Sequence, residues 1–248
     1  MKLELFDLLS FEPAVLSNVG SIRSPLLRDI AKIRCSTYQS YISLLLLTPK
    51  MYYEMSGKKE EAPPDLSVYD LIAADETMYK AVESALDFFF CEKVVYQPEH
   101  RMFFTYNGAA GPDGDPLPTG IIHREIYGQV CDLILQQNYI QKKEEDLSEI
   151  KSKRALSIAM KLQRGREAKQ TKARSNQNME LGNIISAVAA KHESLNPLNI
   201  WDITVYQLWD TFYRLCSNNI LAIQSMSVAA WGDKEKQFDA SGWFQRMG

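Results

Sequence analysis

The chain has 248 residues, 28 Lys+Arg against 31 Asp+Glu, and a formal net charge of -3. With 46% hydrophobic and 24% charged residues it has the composition of an ordinary globular protein, which excludes dominant disorder and collagen-like or low-complexity classes. The length allows one large domain or two small ones, and a core that needs neither disulfides nor metal.

In chain order, Ser24-Pro25 reads as an N-cap followed by a proline in the first helical turn, with LLRDIAKI behind it at helical spacing. A second helix is expected over 37–47. Thr48-Pro49 repeats the cap-plus-proline signal, and the polar GKKEEAPPD is an expected exposed loop. Ser67 and Asp75 are the next candidate caps. From Met78 to Phe90 apolar residues recur at three and four, which predicts an amphipathic helix. The period then changes. KVVY and RMFFTY, separated by Gln97-Pro98-Glu99-His100, predict a β-hairpin over 93–106, read as the one strand pair of the chain. A Gly/Pro-rich loop follows at 107–120. Thr119 is the expected cap of a helix that runs from Ile121 to about Tyr139.

From Ile140 to Ile200 there is no Phe, Tyr or Trp, where a stretch of that length would hold about six at the chain average of 10%. Cores draw much of their buried area from aromatics, so this stretch reads as an extension or connector. Charge is segregated within it. Lys151, Lys153, Arg154, Lys161, Arg164, Arg166, Lys169, Lys172 and Arg174 face only Glu167, a balance of +8 over 151–174 that leaves -11 on the rest. Helix is expected to about Leu162. Arg164 to Asn178 reads as a disordered or hinge region. Beyond it come a short helix around NMELGNIISAVAAKH and a longer one. The longer one is capped by Asp202, carries Val205, Leu208, Phe212, Ile220 and Ile223 at helical spacing, and is closed by Trp231-Gly232. The expected fold is therefore mainly α. It has two helical parts, 1–139 with the hairpin and 178–248, joined by a basic helical connector over 140–177.

Chemistry leaves little trace. His100, His123 and His192 stand alone, without ligands at zinc-site spacing. No nucleophile elbow, HExxH or P-loop is present. No catalytic, cofactor-binding or metal residue is assigned, no cofactor is expected, and the chain reads as a non-enzyme. The four cysteines lie far apart in apolar contexts and read as buried free thiols, which suggests a reducing cytoplasm. The apolar run Ile42 to Leu47 falls far short of the roughly 20 residues that cross a bilayer, and the charged N-terminus does not read as a signal peptide. Two features carry binding potential. The nine cations of the basic arm could neutralise phosphates, although no aromatics accompany them for base stacking. Trp243 and Phe244 follow a polar run and are candidate partner anchors. They are expected either to fold back beside the long helix or to dock on another chain.

SIRSPLLRDIAKI with TYQSYISLLLLTPKMYY, and NIWDITVYQLWDTFYRL with WGDKEK and Trp243-Phe244, resemble the two ends of small tail-module proteins of tailed phages and prophages of Gram-positive bacteria. That group is tail assembly chaperone-like. The resemblance implies a non-catalytic structural or assembly protein acting through protein–protein contacts, with other phage tail or assembly proteins as partners and self-association as a further mode. It places the chain in the host cytoplasm or the virion. A nucleic-acid-binding protein using 151–174 is the alternative and is disfavoured, because the acidic remainder repels a polyanion.

Overall fold

The computed structural model describes residues 1–57, 63, 65–111, 114–140, 179–233 and 238–245. Its described residues are mainly helical, with two small antiparallel sheets. Contacts divide the chain into two compact units. One is Met1–Gln141 together with Thr204–Gln207, and the other contains the remaining described residues, 179–203, 208–233 and 238–245. The first unit thus takes four residues from far along the chain, which a division into consecutive segments leaves out. Apart from Ile140, the expected connector over 140–177 lies outside the described residues.

In the first unit, α1 (Leu5–Leu9) is closed by a reciprocal box between Glu4 and Asp7. A short sheet follows, β1 (Ala14–Leu16) against β2 (Gly20–Ile22), turning through Asn18 at φ 60°. Next come α2 (Leu27–Ile33), α3 (Cys35–Leu45) and α4 (Pro49–Met55). Thr48 caps α4 by accepting from the Met51 amide, with Pro49 in the first turn, as the sequence implied. Ser24 does not cap α2. Its hydroxyl donates to the Gln137 carbonyl at 3.1 Å, and Leu26 holds the cap position without a side-chain bond. A long-range partner has taken the residue that local capping chemistry would have used.

Ser67 and Asp75 cap α5 (Val68–Ala74) and α6 (Glu76–Phe89), and α6 buries Val82, Ala85, Leu86 and Phe89 along one face. The hairpin is β3 (Lys93–Gln97) with β4 (Met102–Tyr106), in register Lys93↔Tyr106. It is not alone. β5 (Gly120–Ile122) adds to β4 with Phe103 opposite Ile122, and β1–β2 is a second pair. Ile121 and Ile122 had been counted as helix. They are extended because both are β-branched and the Ile121 amide donates to the Asn18 carbonyl at 2.9 Å. The cap of α7 (Arg124–Gln137) is consequently His123, not Thr119.

The core of this unit gathers Ile22, Leu86, Phe89, Phe90, Phe103, Ile122, Leu133 and Ile134, all nearly or fully inaccessible. Its buried polar groups are tied across long sequence distances. The Tyr38 hydroxyl donates to Asn138 Oδ1 at 2.8 Å. That of Tyr69 reaches the carbonyls of Arg101 (2.8 Å) and Ile122 (3.1 Å), and Thr105 Oγ1 donates to the Val19 carbonyl at 2.7 Å. Burial pushes the phenols of Tyr38, Tyr69 and Tyr127 above their ordinary range. These are acids held neutral in the fold and free to ionise when unfolded. Their stabilising contribution is therefore complete below the unfolded phenol pKa of about 10 and is lost as pH rises above it. We expect the first unit to unfold cooperatively on alkaline titration. The share of phenolate absorbance owed to these three of the twelve tyrosines should rise together with loss of helical circular dichroism, and not before it. Independent, gradual ionisation of these tyrosines in a folded chain would contradict the burial described.

In the second unit, α8 (Leu181–Lys191) buries Ile184 and Val188 and stops at His192, whose Nδ1 accepts the amides of Ser194 and Leu195 at 3.1 Å. A 3₁₀ turn, Ile200–Asp202, buries Ile200. Then comes α9 (Val205–Trp231), the longest described helix at 27 residues, which belongs to this unit from Leu208 onward. Its start is not capped by Asp202. Thr204 and Gln207 cap reciprocally instead, amide to side chain at 2.9 and 3.1 Å.

Candidate partner-binding surface

The second unit presents an unusual helix surface. Arg214, paired with the buried Asp210 at 2.7 Å, is the last charged residue of α9. From Leu215 to Gly232 there is no Asp, Glu, Lys or Arg. An amphipathic helix normally buries its apolar stripe and turns charge to water. Here the outward positions hold Asn218, Asn219, Gln224, Ser225 and Ser227 beside large apolar side chains. Ile220 is 58% exposed, Ile223 64%, Met226 65% and Trp231 79%. Ile220 and Ile223 have the spacing of a buried face and do not occupy one. The uncharged run of 18 residues was the available signal.

Gly232, at φ 77°, ends the helix, its amide donating to the Val228 carbonyl at 2.8 Å. Asp233 Oδ2 then accepts the Phe238 amide at 3.0 Å. Asp239 caps a last 3₁₀ helix, Ala240–Phe244. Its carboxylate takes the Ser241 hydroxyl and amide on one oxygen and Gln245 Nε2 on the other, and these bonds hold it below the usual carboxylate range. A Cβ on Gly242 would stand 3.6 Å from Leu221 Cδ1, so this short helix lies against the flank of α9. Trp243 and Phe244 meet edge to face at 5.1 Å and stay 57% and 59% exposed. The backbone has folded back while the rings have not been buried. Lys191 of α8 donates to Asn219 at the edge of the exposed stripe.

The nine cations of the basic arm all lie outside the described residues. The four cysteines form no disulfide, but they are not uniformly buried. Cys131 is buried, Cys35 and Cys216 are partly covered, and Cys91 is exposed. Cys91 lies just beyond the end of α6, where its amide donates to the Ser21 carbonyl and the residue stays exposed. Among the described residues, no helix is long and apolar enough to cross a membrane.

Residues 169–248 match the family model of the YomV second domain. The match takes in α8, α9 and the last 3₁₀ helix, hence the whole exposed surface described above. The YomV family is associated with phages and prophages, and the match fits a phage protein. No curated protein and no solved structure matches the chain.

Proposed function

We propose that the chain is a non-catalytic structural or assembly protein of the phage tail module, acting through protein–protein contacts in the host cytoplasm or the virion. The match of 169–248 to the YomV second domain carries this reading, since it falls on the part of the chain that exposes the largest run of uncharged helix. Exposed apolar surface of this kind on a folded chain marks interaction sites more often than chemistry. The test is capture of the tagged full chain from an induced lysogen, followed by identification of what it retains. Tail and tail-assembly proteins are expected in nuclease-treated samples. Recovery of replication or repair proteins, or loss of all partners on nuclease treatment, would overturn the tail assignment. A second reading, nucleic-acid binding, draws on the +8 charge over 151–174. It requires steeply salt-dependent binding of DNA or RNA by the intact chain, which neutralising Lys161, Arg164, Arg166 and Lys169 together should flatten. Little binding at physiological salt is expected.

A further inference from the structure

We infer that α9 pairs antiparallel with the α9 of a second copy of this chain, through a seam formed by Tyr213, Cys216, Ile220, Ile223, Ser227 and Ala230. These six positions are separated by three, four, three, four and three residues, the alternation that keeps one stripe facing a partner helix. All lie on a single unbroken helix. Ile220 and Ile223, at the middle of the stripe, are mostly exposed.

The choice of occupant comes from side-chain size. Turn a second α9 end for end about the midpoint between Ile220 and Ile223. Tyr213 then meets Ala230, Cys216 meets Ser227, and Ile220 meets Ile223. Every layer sets a large residue against a small one, or two of equal size against each other, so volume is even along the seam. A parallel pair would set Tyr213 on Tyr213 at one end and Ala230 on Ala230 at the other, crowding one end and leaving the other hollow. Charge agrees with self-pairing. The flanking positions that ordinarily carry partner-selecting charges are Ser217, Asn219, Gln224, Met226 and Trp231. Two copies can approach with no charged side chain of α9 opposed along the seam, the cation at its edge being Lys191 of α8, which is held at Asn219. The stripe runs about 26 Å at 1.5 Å per residue. With Met226 and Trp231 at its edges, a pair covers on the order of 1,000–1,200 Å² in total, the threshold for a stable biological interface. The symmetry is that of a closed dimer in which one patch meets itself.

This inference rests on the reading of the chain as one that works through protein contacts, and it has its own test. Sedimentation of the full chain at about 100 µM, far above the micromolar upper end of such interfaces, is expected to give a dimer. The double variant Ile220→Glu/Ile223→Glu is expected to be monomeric, weakened at least about 100-fold, with unchanged helical circular dichroism because both positions are exposed in one copy. Direction is read separately. In a Cys35→Ser/Cys91→Ser background, Ser227→Cys should form an intermolecular disulfide with Cys216 under mild oxidation. A monomer at all concentrations, or a dimer indifferent to the double substitution, overturns the proposal. So does a cross-link joining two copies of Cys216, which reports parallel pairing. A monomer that still captures tail proteins sinks only this inference. A dimer that captures none sinks only the tail assignment.

Discussion

Gly120→Ala is expected to cost about 4 kcal/mol of stability in the first unit, a large part of the 5–15 kcal/mol typical of a domain. A Cβ at this position would lie 2.4 Å from the Val19 carbonyl oxygen, 2.6 Å from its carbon and 2.7 Å from Thr105 Oγ1. Two of these three atoms belong to backbone, which cannot rotate aside. β5 can yield only by withdrawing, and withdrawal breaks the Ile121 amide bond to the Asn18 carbonyl and disturbs the buried Thr105–Val19 bond. Overpacking of this kind costs about 1–3 kcal/mol, and a buried polar group left unmatched adds about 1–3. Gly128, on the exposed side of α7 with open space around it, is the control: Gly128→Ala should raise stability by up to about 1 kcal/mol through helix propensity. Urea unfolding followed by far-ultraviolet circular dichroism measures both. A loss under about 1 kcal/mol for Gly120→Ala would mean that β5 does not lie against Val19.

Phe103→Ala should cost a similar amount, about 4 kcal/mol, for the opposite reason. The Phe103 ring is fully buried, 4.7 Å from the ring of Tyr96 and 6.2 Å from that of Tyr69, and it stands opposite Ile122 in the ladder. Truncation removes the ring and leaves a cavity whose walls come from β3, β5 and α5, three elements already fixed by their own hydrogen bonds. They cannot collapse into it. Phe103→Leu keeps most of the volume and should cost less than about 1.5 kcal/mol. If the two variants unfold at the same urea concentration, the ring does not hold this core together.

What could be read beforehand follows the range over which each signal acts. The caps at Thr48, Ser67 and Asp75 were legible because a cap and its amide lie two or three residues apart. So was the β3–β4 hairpin, whose strands are joined by a short turn. The misses in the sheets and at Ser24 involve distant partners, whereas at Asp202 a competing local pair, Thr204 and Gln207, took the cap. β1 and β2 are three residues each, too short to show alternation, and Ile22 gains its burial beside Phe90, with which it forms a bridge. β5 depends on β4 and on Asn18. Ser24 is diverted to Gln137, more than 100 residues away. At the candidate surface, Trp243 and Phe244 were singled out because their ring size is visible in any context. The exposure of Ile220 and Ile223 was not, since periodicity identifies a face without saying whether anything covers it.

The division into two units has a spectroscopic consequence. Trp201, Trp209, Trp231 and Trp243 are all the tryptophans of the chain, and every one falls in the second unit. The first unit has only Tyr and Phe. Indole emission excited at the red edge of the protein band is therefore a private reporter of the second unit, while tyrosine absorbance is weighted toward the first. One denaturation experiment followed at both wavelengths separates the two units without cutting the chain. Coincident curves would show that they melt as one cooperative body, and separated curves would assign a stability to each. Iodide quenching divides the emission further, since Trp231, at 79% exposure, should be reached well before Trp201 at 37%.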